Sequence, residues 1–79
     1  MFYTADTIPI GAKAEILDLD FTEMGQRLSE LGFWPGKYIE LVVSAPFGDP
    51  MAFRLDNSLV ALRKDEARNI RVRIAASAA

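Results

Sequence analysis

Tyr38-Ile39-Glu40-Leu41-Val42-Val43-Ser44, then Ala45-Pro46-Phe47-Gly48-Asp49-Pro50, then Met51-Ala52-Phe53-Arg54-Leu55 and Asp56-Asn57-Ser58 before Leu59-Val60-Ala61-Leu62-Arg63: this stretch decides the fold class. Ile39, Leu41 and Val43 alternate with Tyr38, Glu40, Val42 and Ser44, the period-2 pattern of a half-buried strand. The prolines and glycine at 46–50 form a dense turn signal, because proline fixes φ and glycine supplies the freedom beside it. Met51, Phe53 and Leu55 resume the alternation, Asp56-Asn57-Ser58 turns again, and Leu59 to Arg63 reads as a further strand.

Working outward, Ile70, Val72 and Ile74 alternate with Arg71 and Arg73 in a last strand, and Lys64 to Ala67 suits a short helical turn. Upstream, Ile8-Pro9-Ile10-Gly11 reads as a turn, and Lys13 to Leu19 as a strand with Ala14, Ile16 and Leu19 apolar. Leu17 breaks that alternation, so either a bulge or burial on both faces is expected there. Asp20-Phe21-Thr22-Glu23 has capping-box spacing, with Asp20 as cap and Glu23 reaching back. Phe21, Met24, Leu28 and Leu31 then share a helical stripe, Gly25 weakens the helix by about 1 kcal/mol relative to alanine, and Gly32 ends it. Five short strands with one helix after the first predict a mainly β fold, a small barrel, over a competing single sheet with a helix laid across it. The core is expected over residues 8–74, with 75–79 a flexible tail, all in one domain.

Composition narrows the function classes. A chain of 79 residues has room for one domain, and its 51% apolar share supports one packed core. There are no cysteines and no histidines, so disulfides and thiolate or imidazole metal sites are excluded. The start of the chain has no basic, apolar leader pattern, and no stretch approaches the ~20 apolar residues that span a bilayer. A cytoplasmic location without membrane insertion is therefore expected. A net charge of −2 argues against nucleic-acid binding, which needs clustered Lys and Arg.

The charge is uneven. Up to Phe53 there are three basic residues against eight acidic; from Arg54 there are six basic against three acidic. Either the halves pair within the fold, or a basic strip steers an acidic partner.

Three segments together resemble the FeoA family and the related C-terminal domain of iron-dependent repressors of the DtxR type. Arg27-Leu28-Ser29-Glu30-Leu31-Gly32-Phe33-Trp34-Pro35-Gly36 is similar to R-L-x-x-L-G-x-x-P-G. Ala45 to Pro50 is similar to A-P-x-G-D-P, and Ala61 to Ala67 to A-L-R-K-x-E-A. The resemblance runs from about Ile8 to Ile74. It implies an SH3-like barrel that binds and modulates FeoB, a ferrous-iron transporter with a cytosolic GTPase domain, through that domain or a membrane face. The alternative it carries is a free-standing regulatory domain of the metal-repressor type, taking a peptide segment of another chain. Weak self-association is a third partner reading. The chain departs from the family pattern at Phe33-Trp34, where one apolar and one small polar residue are more usual.

Partner-binding candidates are Phe33, Trp34, Pro46, Phe47 and Met51, on the argument that aromatics beside turns and prolines often anchor interfaces. The competing reading makes one or both rings of Phe33-Trp34 a plug for the barrel end. Asp18 and Asp20, two apart on a strand, are the only oxygen pair worth weighing for a divalent ion, alongside the thioethers of Met1, Met24 and Met51. Helix capping by Asp20 and solvation of Asp18 account for them without a metal. No catalytic residue, cofactor or resident metal is expected, since nucleophile–base arrangements and phosphate-cradling loops are both missing.

Overall fold

The computed structural model describes residues 2–75; the tail expected at 75–79 lies, from residue 76 on, outside them. Six strands form one antiparallel sheet: β1 (Tyr3–Thr4), β2 (Lys13–Leu19), β3 (Tyr38–Ser44), β4 (Met51–Leu55), β5 (Ser58–Leu62) and β6 (Ile70–Ile74). Helix α1 (Glu23–Glu30) joins β2 to β3, and the single turn α2 (Lys64–Ala67) joins β5 to β6. The strand order is β1-β6-β2-β3-β4-β5.

The expected barrel of five strands is corrected in two respects. The hydrogen-bonded ladder does not close, since β1 and β5 remain its edges. The helix follows the second strand, because Tyr3 and Thr4 pair with Val72 and Arg71 ahead of it. A two-residue strand is too short to show any periodicity in sequence.

The core is apolar throughout. Phe33, Phe53, Ile16, Leu28, Ile39, Ile70 and Val72 are its largest fully buried side chains, and no polar side chain is buried among the described residues. Two bulges shape the sheet. In β2 the register shifts between Ile16 and Asp18, as the break at Leu17 foretold, and Leu19 then packs on the core. In β3 it shifts between Leu41 and Val43. One extra residue there exchanges the two faces beyond it. Val43, expected inward, is therefore exposed, and Ser44 pairs with the buried Met51.

Helix α1 begins two residues later than expected. Thr22 is its cap, with its hydroxyl accepting from the Gly25 N–H at 3.2 Å. Asp20 is held elsewhere, its N–H donating to the Asn69 carbonyl at 3.1 Å. Of the anticipated stripe, Leu28 reaches the core and Met24 packs at its margin, while Phe21 and Leu31 face solvent.

At the other end the Gly32 N–H donates to the Ser29 carbonyl and the Phe33 N–H to the Leu28 carbonyl, with Gly32 at φ 106°. That is a Schellman cap, which turns the second residue beyond the helix back toward the helix's inner face. Phe33 is consequently fully buried, a core side chain and not a surface one. Met51, an inward position of β4, is buried as well. Neither is available to a partner on the surface.

Three of the six basic residues of the second half pair across the sheet with acidic residues of the first. Arg71 with Asp18, Arg73 with Glu15 and Arg54 with Glu40 each join an acidic residue of the first half to an arginine of the second. Each pair stands directly opposite in strand register.

Candidate functional site

Three of the five sequence-nominated residues remain on the surface: Trp34, Pro46 and Phe47. Trp34 is positioned by the helix cap that buries its neighbour. Its indole N–H donates to the Ser29 carbonyl at 2.6 Å, and the Lys37 ammonium stands 4.8 Å above its ring. The half-exposed ring is thus held at the helix end by a hydrogen bond and a cation–π contact.

A groove of about 610 Å³ has the next residue, Pro35, in its wall. Leu19 and Asp18 at the end of β2, Thr22, Gly25 and Gln26 on the first turn of α1, and Pro35 form its walls, with Phe21 at its side. Phe21 is entirely exposed, at 106% of its reference area. It lies between Asp20, bonded to Asn69 in the turn before β6, and Thr22, tied to the helix, so its backbone is fixed while its ring has no intramolecular cover. Sequence reasoning missed it by assigning it to the helix stripe. Thr22 was the signal available, since it too is a residue type that caps helices.

The groove is possible because residue 25 is glycine. A Cβ there would overlap the Asp20 carbonyl oxygen, so the chain entering the helix runs against the helix itself. At its rim the Asp18 carboxylate takes two hydrogen bonds from Arg71, at 2.7 and 2.6 Å. That guanidinium holds the Asp18 carboxyl below its ordinary value of 3.8. With Asp18 matched, Asp20 and Glu23 leave the rim acidic. An apolar groove with an acidic rim suits an apolar side chain carried next to a basic one.

Phe47 belongs to a second surface. The 45–50 turn is closed by hydrogen bonds from the Gly48 N–H to the Ala45 carbonyl and from the Ala45 N–H to the Pro50 carbonyl. Gly48 has φ 83°, a conformation glycine adopts without strain. Asp49 accepts from the Lys64 N–H at 3.0 Å, and Glu66 accepts from the Arg63 N–H at 2.8 Å. The turn and the start of α2 are therefore one unit, with Phe47 projecting from it 97% exposed. Phe47 and Pro46 are absent from the walls of the Phe21 groove.

Asp18 is engaged by Arg71, and among the described residues no three carboxylates converge. No described helix is long and apolar enough to cross a membrane.

Comparison with known proteins bears on the family and the fold. The family model described as FeoA domain matches residues 3–74. A FeoA-like protein from Clostridium acetobutylicum superimposes with a TM-score of 0.90 at 26% identity, over 96% of this chain and 90% of that one. A Stenotrophomonas maltophilia FeoA solved with zinc, described as a procaryotic SH3 domain protein, gives 0.79 at 28% identity, over 89% and 88%. A manganese-dependent transcriptional repressor gives 0.84 at 13% identity, over 94% of this chain and 41% of that one, which speaks for a common fold alone. In sequence, the chain is 39% identical over 52 residues to a Porphyromonas gingivalis Fe(2+) transport protein A/Fe(2+) transporter FeoB fusion protein. That match takes in 66% of this chain but only 6% of the relative's length.

Proposed function

Since the chain belongs to the FeoA domain family, we propose that it serves ferrous-iron transport as an accessory module, docking on a FeoB-type transporter and catalysing nothing itself. The observation that carries this reading is the fusion relative, in which a homologous segment and FeoB form one polypeptide. Segments joined in one chain are held at high effective concentration, an arrangement that favours components working in contact.

The face proposed for docking is the one around Phe21, Trp34 and Pro35. It joins an uncovered phenyl ring at an apolar groove to the half-exposed indole that precedes Pro35, a residue of the groove wall. Aromatic residues in such settings supply much of the energy of protein interfaces. The acidic rim from Asp20 and Glu23 selects a partner segment with a basic residue next to its apolar anchor, and steers its approach. The cytosolic GTPase domain of the transporter is the proposed partner surface.

The test is an amide and indole NMR titration of the full chain with that cytosolic domain, with ferrous ion alone as a control. The expected result is saturable shifts at Phe21, the Trp34 indole and Gln26 with the protein, and none with iron alone. An unchanged spectrum overturns docking on this domain, and shifts confined to Phe47 move the interface to the other surface.

A further inference from the structure

Strand β5, Ser58-Leu59-Val60-Ala61-Leu62, pairs with β4 on one side only. Its hairpin fixes which backbone groups are used. Leu55 stands opposite Ser58 across the two-residue turn Asp56-Asn57, and Phe53 opposite Val60. In an antiparallel ladder, hydrogen-bonded and non-bonded pairs alternate from such a turn. Ser58, Val60 and Leu62 therefore bond inward to β4, while the N–H and C=O groups of Leu59, Ala61 and Arg63 point away from the sheet.

Arg63 is satisfied within the chain: its N–H donates to Glu66 and its carbonyl accepts from the Glu66 and Ala67 N–H groups. Leu59 and Ala61 have no such partners among the described residues.

Protein edges of this length are ordinarily blunted by a charge, a proline or a bulge. β5 has none of them, and its Leu59 side chain is 59% exposed. The opposite edge, β1, is limited to two residues. One edge of this sheet is thus short, and the other is long, uncharged and open.

We propose that β5 is a self-association edge, pairing antiparallel with β5 of a second copy about a two-fold axis at Val60. This register follows from the open groups: Leu59 faces the partner's Ala61, Ala61 faces the partner's Leu59, and about four backbone hydrogen bonds form. Each leucine then lies across from an alanine on the outer face, large against small, and the two valines meet on the inner face as a β-branched pair.

The charges at the strand ends select the second copy as occupant. Asp56 precedes the strand and Lys64 follows it. Antiparallel pairing sets each Asp56 toward the partner's Lys64, whereas parallel pairing would set like beside like. Asp56 already holds Lys37 at 2.7 Å and is 66% exposed, leaving its second carboxylate oxygen open. An interface of one strand pair falls below the area of stable complexes, so the dimer is weak and concentration-dependent.

The experiment is amide hydrogen exchange on the full chain across a wide concentration range, with sedimentation velocity on the same samples. The expected result is that the Leu59 and Ala61 amides exchange fast when dilute and slow several-fold as the mass moves from 8.8 kDa toward twice that. Ala61→Pro removes an N–H that no intramolecular bond uses, and should hold the chain at the monomer mass at every concentration. Should that variant unfold, Leu59→Lys, a charge placed on an already exposed position, must give the same loss with an unchanged melting temperature.

A wild-type chain that stays monomeric throughout overturns the proposal, as does a dimer that survives Leu59→Lys. Protection of the two amides only after addition of the transporter's cytosolic domain overturns it too, and assigns the edge to a strand of that partner.

Discussion

Gly25 sits inside α1, where glycine ordinarily costs about 1 kcal/mol against alanine. The Asp20 carbonyl lies where its Cβ would be, and the obstacle is backbone, which cannot swing aside. Gly25→Ala is therefore expected to destabilise the protein by about 1–3 kcal/mol in spite of its better helix propensity, measured as a lowered urea midpoint. Nothing in the sequence marks that close approach, because the two groups meet only once Asp20 is bonded to Asn69. Asp18 carries a second expectation. Arg71 depresses its folded-state pKa, so the pair's contribution is complete above the unfolded value of 3.8 and disappears as pH falls through the lower folded value. Asp18→Asn should flatten the loss of thermal stability on acidification below about pH 4, a comparison made by melting both proteins at each pH. The pair is exposed, so the difference is small in size and definite in sign.

Among the elements, α2 depends most on distant chain. It is a single turn whose first N–H is bonded by Asp49 from the 45–50 turn. Asp49→Ala is expected to cost about 1 kcal/mol, the usual value of a lost cap, and to speed exchange at the Lys64 and Arg68 amides. Exchange there that matches wild type would show that Glu66 holds the turn alone. The strands show why some elements were legible and others were shifted. β4 and β6 read correctly because Met51, Phe53, Leu55 and Ile70, Val72 keep strict alternation on a one-sided core. β2 was readable through its bulge because Leu17 interrupts the pattern with an apolar residue. β3 misled because Val42 and Val43 are alike, so the extra residue at Val42 leaves no trace in hydropathy. The helix start slipped by two residues since Asp20 and Thr22 are both able caps, and a tertiary bond to Asn69 decides between them.

At the scale of the molecule, the segregated charges of the sequence become neighbours across strands. The four ion pairs among the described residues each have at least one exposed partner, and such pairs contribute little each. Raising salt from low to about 1 M should therefore move the melting temperature by only a few degrees, since the Debye length shrinks to roughly 3 Å while the apolar core is untouched. A large drop would mean that the charged ladder carries the fold. The candidate site was only partly legible for a related reason. Aromatic content could be counted in sequence, but the Schellman cap sends Phe33 inward and leaves Trp34 out, and the alternation of β4 takes Met51 into the core.

The pairing of Tyr3 with Val72 also has a mechanical consequence. It places the start of the first strand beside the end of the last, in opposite directions. Tension applied through the two termini would load that ladder at its open end, so its bonds peel in succession instead of shearing together. A module anchored at both ends would thus yield at low force, and β1 would be the first piece to come away.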